Sequence, residues 1–237
     1  MTHLRQFGRH ARGYERFNLI QRRLARALAE RIPAGFERIV DLGCGGGGFL
    51  QAYERPFTSY LAVDASAEML GCHPRAEGVE CMVGDFNDPS LFETLSRRDF
   101  DLLVSSSALQ WAADLDWTLE RIAALKRPVA LTLFTSGTFA TLHETAGTRS
   151  PIRSREETEA SLRRHLEVKI DVLRYRLYFK SVRAMLSYIR RSGVSGGRNL
   201  LGYREVKRLV ESYPLPYLEF EALRALSVGM DRSIKKD

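Results

Sequence analysis

The chain has 237 residues, a formal net charge of +7 and 44% hydrophobic residues. It contains no run of about eighteen apolar residues, which argues against a membrane-spanning helix, and its basic N-terminal segment lacks the apolar core of a signal peptide. The three cysteines, Cys44, Cys72 and Cys81, are odd in number and lack the spacing of a metal site. This usage favours a reduced, cytoplasmic setting without a bound metal.

Charge is distributed unevenly along the chain. Residues 1–31 carry eight arginines and two glutamates, residues 32–135 carry 8 basic and 15 acidic groups, and residues 136–237 carry 20 basic and 12 acidic groups. Basic flanks around an acidic centre indicate an anionic macromolecular partner, which is either nucleic acid or an acidic protein. A generally basic, arginine-rich surface is the alternative.

The pattern of apolar residues predicts regular alternation of strands and helices. Residues 4–31 predict one or two helices with an apolar stripe of 3.6-residue spacing. Buried strands and intervening helices follow, at intervals that allow right-handed crossovers between parallel strands. The predicted strands lie near 38–42, 59–63, 79–83, 100–105 and 129–135. The regularity then breaks, and the later elements are a polar helical stretch at 138–164, a strand at 167–179, helices at 182–192 and 203–213 and a last strand at 217–226.

These elements predict a Rossmann-like α/β fold. It has a mostly parallel seven-stranded sheet with helices on both faces, an N-terminal helical lid and a helical insertion after strand 5. We interpret residues 1–237 as one domain with three parts. These are the lid (1–35), a cofactor-binding core (36–135) and a substrate-side insertion with the last strands (136–237).

A glycine-rich turn follows the first predicted strand. Arg38 to Leu42 form the strand, and four consecutive glycines, Gly45 to Gly48, precede a helix. Glycine loses more chain entropy on ordering than any other residue, so such a run suits close approach of the backbone to a ligand or positive φ angles. The strand–turn–helix setting therefore predicts a binding site at this turn.

The ligand of this turn is a dinucleotide or S-adenosylmethionine, with an unliganded tight turn as the third possibility. The spacing Gly43-x-Gly45-x-x-Gly48 fits the dinucleotide fingerprint. Asp41 argues against it, because a carboxylate at this point repels a pyrophosphate. The positively charged ammonium and sulfonium groups of S-adenosylmethionine are instead attracted to the Asp41 carboxylate, directly or through the turn. The pattern Asp41-x-Gly43-x-Gly45-x-Gly47 resembles the first motif of class I methyltransferases.

Two further acids follow at the ends of the next strands. Asp64 ends strand 2, where a carboxylate accepts two ribose hydroxyl groups, although a solvated strand-end acid is the alternative. Strand 3 ends in Gly84-Asp85-Phe86, and in the methyltransferase pattern that Asp meets the adenine amino group. The predicted cofactor-binding residues are Asp41, Gly43, Cys44, Gly45, Gly47, Asp64, Ala65, Met69, Asp85, Phe86 and Ser105.

The segment after strand 4 is predicted to lie beside the transferable methyl group. Ligands in open parallel sheets bind outside the carboxyl ends of the strands, which places Ser105 to Trp111 there. Gln110 and Trp111 are candidates to shape the acceptor pocket, and a helix start with a core tryptophan is the alternative. No Asn/Asp-Pro-Pro-Tyr/Phe run follows strand 4, so nucleic acid is an unlikely acceptor.

Several stretches of the chain together carry a family resemblance. They are Phe7-Gly8-Arg9-His10-Ala11-x-x-Tyr14 with Leu19-Ile20-Gln21, Asp64-Ala65-Ser66-Ala67-Glu68-Met69-Leu70, Ser105 to Trp111, Phe134-Thr135-Ser136-Gly137-Thr138-Phe139-x-x-Leu142-His143 and Tyr213-Pro214-Leu215-x-Tyr217. With these residues the chain resembles the malonyl-[acyl-carrier protein] O-methyltransferases of biotin synthesis. Ser106 replaces the family's usual Asn, and the stretch between His143 and Ser161 is short for it.

This resemblance implies methylation of the free carboxylate of a malonyl thioester, with S-adenosylmethionine as cofactor and acyl carrier protein as partner. A carboxylate is ionised at neutral pH and needs no general base, but once buried it needs an arginine. The candidates are Arg149, Arg153 and Arg155, and Tyr14, Gln110, Trp111 and His143 are candidates for positioning. A methyltransferase for another small carboxylate or nucleic acid, and a non-catalytic cofactor-binding scaffold, are the alternatives.

Overall fold

The computed structural model describes residues 18–192 and 202–230, with the side chains of residues 191 and 192 excepted. Tyr14 and the first part of the predicted lid, residues 1–17, lie outside the described residues. Within the described ranges, the predicted alternation of strands and helices is confirmed. The predicted strand limits differ from those observed by one or two residues, as at β4, which begins at Leu102.

A seven-stranded sheet forms the centre of the described part of the chain, with the strand order β3-β2-β1-β4-β5-β7-β6. Strands β1 to β5 are parallel, and β7 is antiparallel to both of its neighbours. The strands are β1 (Arg38–Leu42), β2 (Ser59–Asp64), β3 (Val79–Val83), β4 (Leu102–Ser106), β5 (Val129–Phe134), β6 (Val168–Tyr178) and β7 (Tyr217–Ser227). The predicted mostly parallel, Rossmann-like sheet is thus confirmed.

Helices cover both faces of this sheet. The helices of the described residues are α1 (Leu19–Ala29), α2 (Gly48–Ala52), α3 (Ala67–Gly71), α4 (Pro89–Ser96), α5 (Leu115–Ala124), α6 (Ala140–Ala146), α7 (Arg155–His165), α8 (Val182–Ser192) and α9 (Tyr203–Ser212). A 3₁₀ turn covers Leu109–Trp111. Among these helices none is both long and apolar enough to cross a membrane.

The insertion after β5 contains two helices, α6 and α7, separated by a short loop. Helix α6 ends at Ala146, where Gly147 takes the left-handed conformation with φ 69°. Helix α7 begins with a capping box, in which the Ser154 hydroxyl accepts from Glu157 N and the Glu157 carboxylate accepts from Ser154 N. Such reciprocal hydrogen bonds satisfy backbone donors at a helix start, so this sequence itself fixes the beginning of α7.

The apolar core consists of three clusters, one on each face of the sheet and one beside the N-terminal half of β7. One cluster lies under α4, α5 and α7, and a second lies under α1 and α2 on the other face. The third joins α6, α8 and α9 to the N-terminal half of β7. Phe220 is 2% exposed in this third cluster, and its ring centroid lies 5.0 Å from that of Phe139 and 6.4 Å from that of Phe134.

We expect Phe220→Ala to lower the free energy of unfolding by about 3–5 kcal/mol, because it removes a buried ring that joins the insertion to the sheet. Urea unfolding followed by circular dichroism measures this change. The control is Tyr203→Ala, because Tyr203 is 83% exposed, and its effect should stay within about 0.5 kcal/mol. Equal losses in the two variants would contradict the assignment of Phe220 to the core.

Candidate functional site

The candidate site lies at the carboxyl ends of β1, β2, β3 and β4. Strand β1 has β2 on one side and β4 on the other, so the chain leaves β1 at the switch point of the sheet. Open α/β sheets bind ligands in the crevice that such a point creates. The turns after these four strands therefore form the walls of the site.

The glycine turn after β1 is attached to β2 by backbone hydrogen bonds. Gly43 N and Cys44 N both donate to Val63 O, at 2.7 and 3.0 Å. Gly43, Gly45 and Gly47 have φ angles of 77°, 54° and 83°. A side chain at any of these positions would be strained, which explains the spacing of glycines at every second residue.

Two of these glycines are also required by packing within the protein. A Cβ atom on Gly43 would lie 2.3 Å from Ala108 Cβ, and one on Gly47 would lie 2.4 Å from Pro74 Cδ. A Cβ atom on Gly45 would meet only Met69 Cε, at 3.3 Å. Gly43 and Gly47 therefore seat the turn on neighbouring loops, whereas the backbone around Gly45 stays open to a ligand.

Asp64 connects the end of β2 to the glycine turn. Its Oδ2 accepts from Gly45 N at 2.8 Å and its Oδ1 accepts from Ser66 N at 2.9 Å. Burial raises the pKa of Asp64, and the two backbone donors oppose that rise. A carboxylate offers about four lone-pair sites, so two remain for ligand hydroxyl groups. Ala65 follows it, and Met69, on α3, is 3% exposed.

Asp41 lies inside β1 and not at the surface of the cleft. It is 1% exposed, and its Oδ2 accepts from Tyr60 Oη at 2.6 Å. Its Oδ1 is buried and has no hydrogen-bond partner. Burial raises the pKa of Asp41 to about 7, while the hydrogen bond from Tyr60 lowers it. Because its carboxyl group is covered, Asp41 can influence a ligand only through the turn.

The loops after β3 and β4 meet the glycine turn at Gly43. Phe86 Cε1 would lie 3.6 Å from a Cβ atom on that glycine, opposite Ala108. One residue earlier, the Oδ1 atom of Asp85 accepts hydrogen bonds from Asn87 N at 2.9 Å and from Asn87 Nδ2 at 2.7 Å. Phe86 thus lies beside the glycine turn, and Asp85 precedes it in the same loop.

The side chain of Ser105 faces the protein, but the next residues border the cleft. Ser105 is fully buried and its hydroxyl donates to Leu42 O at 2.7 Å, so it joins β4 to β1 and does not reach a ligand. Ser107 has a φ of 61°. Gln110 Nε2 donates to Ser107 O at 2.6 Å. Ser107 Oγ and Gln110 Oε1 are both buried without a hydrogen-bond partner. A buried polar atom without a partner is costly, so this turn is a candidate ligand contact.

The candidates on the substrate side have different surroundings. His143 is buried, its Nδ1 lies 2.9 Å from Thr148 Oγ1, and burial lowers its pKa. Arg149 is exposed. Arg153 Nη2 donates to Ala112 O at 2.9 Å and to Ala113 O at 3.2 Å, so it stabilises the segment after Trp111. Arg155 has a buried Nε atom without a hydrogen-bond partner, and its ion pair with Glu156 is long, at 4.0 Å.

Tyr60, which donates a hydrogen bond to Asp41, was missed at the level of sequence. It was detectable, because β1 and β2 pair Ile39 with Tyr60 and Asp41 with Ala62, which places Tyr60 and Asp41 on one face of the sheet. Ser107 belongs to the predicted segment from Ser105 to Trp111, but its positive φ angle has no signal in the sequence.

The comparisons with known proteins agree with this architecture. Residues 40–131 match the family model described as a methyltransferase domain. The YcgJ protein of Bacillus subtilis covers 86% of this chain, with 97% of its own length aligned, a TM-score of 0.59 and 13% identity. The strand order, the antiparallel β7 and the glycine turn after β1 together define the class I methyltransferase fold.

Two curated relatives identify the family within this class. A malonyl-[acyl-carrier protein] O-methyltransferase of Chlorobium luteolum is 34% identical in an alignment 195 residues long, which covers 74% of this chain and 72% of that protein. One of Enterobacter lignolyticus is 35% identical over 133 residues, or 55% of this chain, and the match spans about half of that protein's length, 51%. The chain belongs to the malonyl-[acyl-carrier protein] O-methyltransferase family.

The fold alone does not determine the reaction. The cyclase SpnF has the same fold, with a TM-score of 0.54 at 16% identity, over 88% of this chain and 82% of its own length. Since one fold hosts unrelated functions, the acceptor and the chemistry must be argued from the site and the family.

We expect the free energy of unfolding of the Asp41→Asn variant to lack the pH dependence that Asp41 gives to the wild type. The folded-state pKa of about 7 lies above the ordinary value of 3.8, so the folded protein retains a proton that the unfolded chain releases. The wild type should therefore lose stability as the pH rises from about 4 to 7, by roughly 1 kcal/mol per pH unit. The variant should lack this slope. Urea unfolding of both proteins at several pH values measures the difference.

The difference between variant and wild type should stop changing above about pH 7, where both states of the wild type have released the proton. Tyr60→Phe is the matched variant, because it removes the hydrogen bond and keeps the carboxyl group. It should retain the slope. A pH profile of Asp41→Asn that is parallel to that of the wild type would contradict the raised pKa.

Proposed function

We propose that this chain transfers a methyl group from S-adenosylmethionine to the free carboxylate of a malonyl thioester on acyl carrier protein, a step of biotin synthesis. The observation that carries the proposal is the extent of the family match. The match to the Chlorobium protein covers 195 residues, whereas the general methyltransferase domain covers only residues 40–131. The similarity therefore extends beyond residues 40–131 into the flanking parts of the chain, to which we assign the choice of acceptor.

The residues at the carboxyl ends of β1 and β2 fit S-adenosylmethionine. Asp64 has lone pairs left for the two ribose hydroxyl groups after accepting from Gly45 and Ser66. The open backbone at Gly45 and Gly46, bounded by Met69 Cε, suits the methionine part. When bound, the cofactor supplies an electrophilic methyl group. Asp85, Phe86, Ala65 and Cys44 complete the proposed binding residues.

We assign the acceptor to the side of the cleft formed by the turn after β4 and the insertion. In this division, residues 36–135 bind the cofactor and the insertion after β5 contributes to the acceptor side, as parts of one domain, whereas α1 of the predicted lid packs against the sheet. Gln110 contributes the unpaired Oε1 atom, and we assign Trp111, which packs against the third apolar cluster, and His143 to the same side.

Arg155 is the best partner for the acceptor carboxylate among the three candidate arginines. Arg153 is committed to the carbonyl groups of Ala112 and Ala113, and Arg149 is exposed. Arg155 retains a buried Nε–H without a hydrogen-bond partner. An arginine offers a bidentate, charge-assisted contact to a carboxylate. The protein then has to hold the acceptor in line with the methyl group, and such positioning is worth about 7–11 kcal/mol.

We expect Asp64→Ala to weaken the binding of S-adenosylmethionine by more than tenfold, because it removes a charged acceptor of two hydroxyl groups. Isothermal titration calorimetry measures the affinity. Asp101→Ala is the control. Asp101 accepts from Glu37 N and Arg38 N at the amino end of β1, so its loss lowers stability without touching the proposed site. An unchanged affinity in Asp64→Ala would contradict the ribose assignment.

We expect labelled methyl transfer from S-adenosylmethionine to malonyl-acyl carrier protein and none to acetyl-acyl carrier protein. The two substrates differ by the free carboxylate, so this comparison tests the acceptor group as well as the reaction. Scintillation counting of the precipitated carrier protein measures transfer.

The outcomes separate the alternatives. Transfer to other small carboxylic acids but not to the malonyl carrier would assign a different acceptor. Tight cofactor binding without transfer to any acceptor would indicate a binding scaffold.

A further inference from the structure

The last two strands of the sheet project beyond the cleft. β5 ends at Phe134, which is level with Ala222 of β7 and Leu173 of β6. Five further residues of each strand, 174–178 and 217–221, continue as a paired ribbon. At about 3.3 Å per residue the ribbon extends roughly 16 Å past the end of β5. Because β5 ends at the carboxyl edge of the sheet, this extension lies on the substrate side.

One face of the ribbon combines arginine and tyrosine side chains. Side chains alternate along a strand, so Arg174, Arg176 and Tyr178 share a face, and Tyr217 lies opposite Tyr178 on it. Tyr178 is 63% exposed, and its ring centroid is 5.1 Å from that of Tyr217. We call these four residues the ribbon face.

Arg176 on the ribbon face forms no ion pair with its neighbour across the strands. Glu219 lies directly opposite Arg176, a position that usually gives an ion pair. Its Oε1 instead accepts from Thr141 N at 2.9 Å, and its Oε2 lies 3.4 Å from Tyr213 Oη. The Arg176 guanidinium lies over the Tyr217 ring, 4.8 Å from its centroid. Within residues 18–192 and 202–230 Arg176 forms no ion pair, and its donors face solvent.

The ribbon face begins next to the cleft. The side chain of Arg174 pairs with Glu221 Oε2 at 3.0 Å, and Glu221 Oε1 accepts from Thr135 Oγ1 at 2.8 Å. Thr135 is the first residue after β5. The line from Arg174 to Tyr178 thus leads outward from the substrate side of the site.

We propose that the ribbon face binds the phosphopantetheine arm of the thioester substrate, with Arg176 holding its phosphate and Tyr178 and Tyr217 packing against its apolar part. This proposal rests on the proposed function. An arginine guanidinium matches the geometry of a phosphate. The arm has about as many main-chain bonds between thioester and phosphate as five amino-acid residues, so it spans about 17 Å when extended. Arg176 is only the third residue past the end of β5, but its guanidinium reaches outward to the ring of Tyr217 at the tip of the ribbon. The length of the arm therefore fits the distance from the end of β5 to that guanidinium.

The test compares two substrates that differ only in the phosphate, malonyl-pantetheine and malonyl-4′-phosphopantetheine. We expect the wild type to have an about tenfold lower KM for the phosphorylated substrate, the effect of one charge-assisted hydrogen bond. Arg176→Gln should reduce this ratio to about one by raising the KM for malonyl-4′-phosphopantetheine. It should leave kcat and the KM for malonyl-pantetheine unchanged, because Arg176 does not touch the reacting carboxylate.

Arg97→Gln is the matched control. Arg97 is an exposed arginine at the C-terminal end of α4, a helix that follows β3 and therefore ends near the amino edge of the sheet. This variant should keep the tenfold ratio. A tenfold ratio that survives in Arg176→Gln would overturn the proposal, and so would an equal loss in both variants.

The source of the arm is decided by two further substrates. A higher KM for malonyl-acyl carrier protein in Arg176→Gln assigns the ribbon face to the carrier-bound arm. A higher KM in Arg176→Gln for malonyl-coenzyme A alone assigns the ribbon face to the arm of the coenzyme.

Failure of the proposed function gives a different result, because the wild type then methylates neither pantetheine substrate. In that case calorimetric titration with free 4′-phosphopantetheine tests the ribbon face directly. About tenfold tighter binding to the wild type than to Arg176→Gln supports the proposal. Equal affinities, or no binding to either protein, overturn it.

Discussion

The Asp64 carboxylate is the constraint on which the arrangement of the site depends. It accepts from Gly45 N in the turn after β1 and from Ser66 N at the start of α3, so one side chain fixes two loops. Burial of this charge is costly, and the two backbone donors offset part of that cost. The glycines make this geometry possible, because only they allow the turn to approach Ala108 and Pro74 so closely. A ligand thus meets backbone and charge that are already in position.

A second buried carboxyl group, that of Asp41, lies in β1 just before the glycine turn. Asp41 shares its face of the sheet with Tyr60 and receives its hydrogen bond. Coulombic repulsion between Asp41 and Asp64 raises the pKa of Asp41 further. The two acids therefore have different surroundings: Asp64 accepts from backbone groups of the glycine turn and of α3, while Asp41 is buried against Tyr60.

The sequence was sufficient for the elements and for the central part of the site. Strand periodicity and glycine spacing are local properties, so β1, the turn and Asp64 were predictable. The hydrogen bonds of Ser105, Arg153 and Glu219 were not predictable, because their partners are distant in the chain. These partners are Leu42, Ala112 and Thr141. A hydroxyl or guanidinium group in a motif can serve a ligand or a backbone carbonyl, and only the three-dimensional neighbours decide between them.

The position of β7 has a consequence for the order of folding. β6 precedes β7 in the chain, yet it joins the sheet only through β7, along eleven residue pairs. Until residues 217–227 are available, β5 has an open edge and β6 has no strand beside it. Such unpaired apolar edges promote aggregation, and contacts between distant segments form slowly. The antiparallel strand that completes the sheet is therefore expected to pair late, and conditions that delay its pairing should expose the partly folded chain to misassembly.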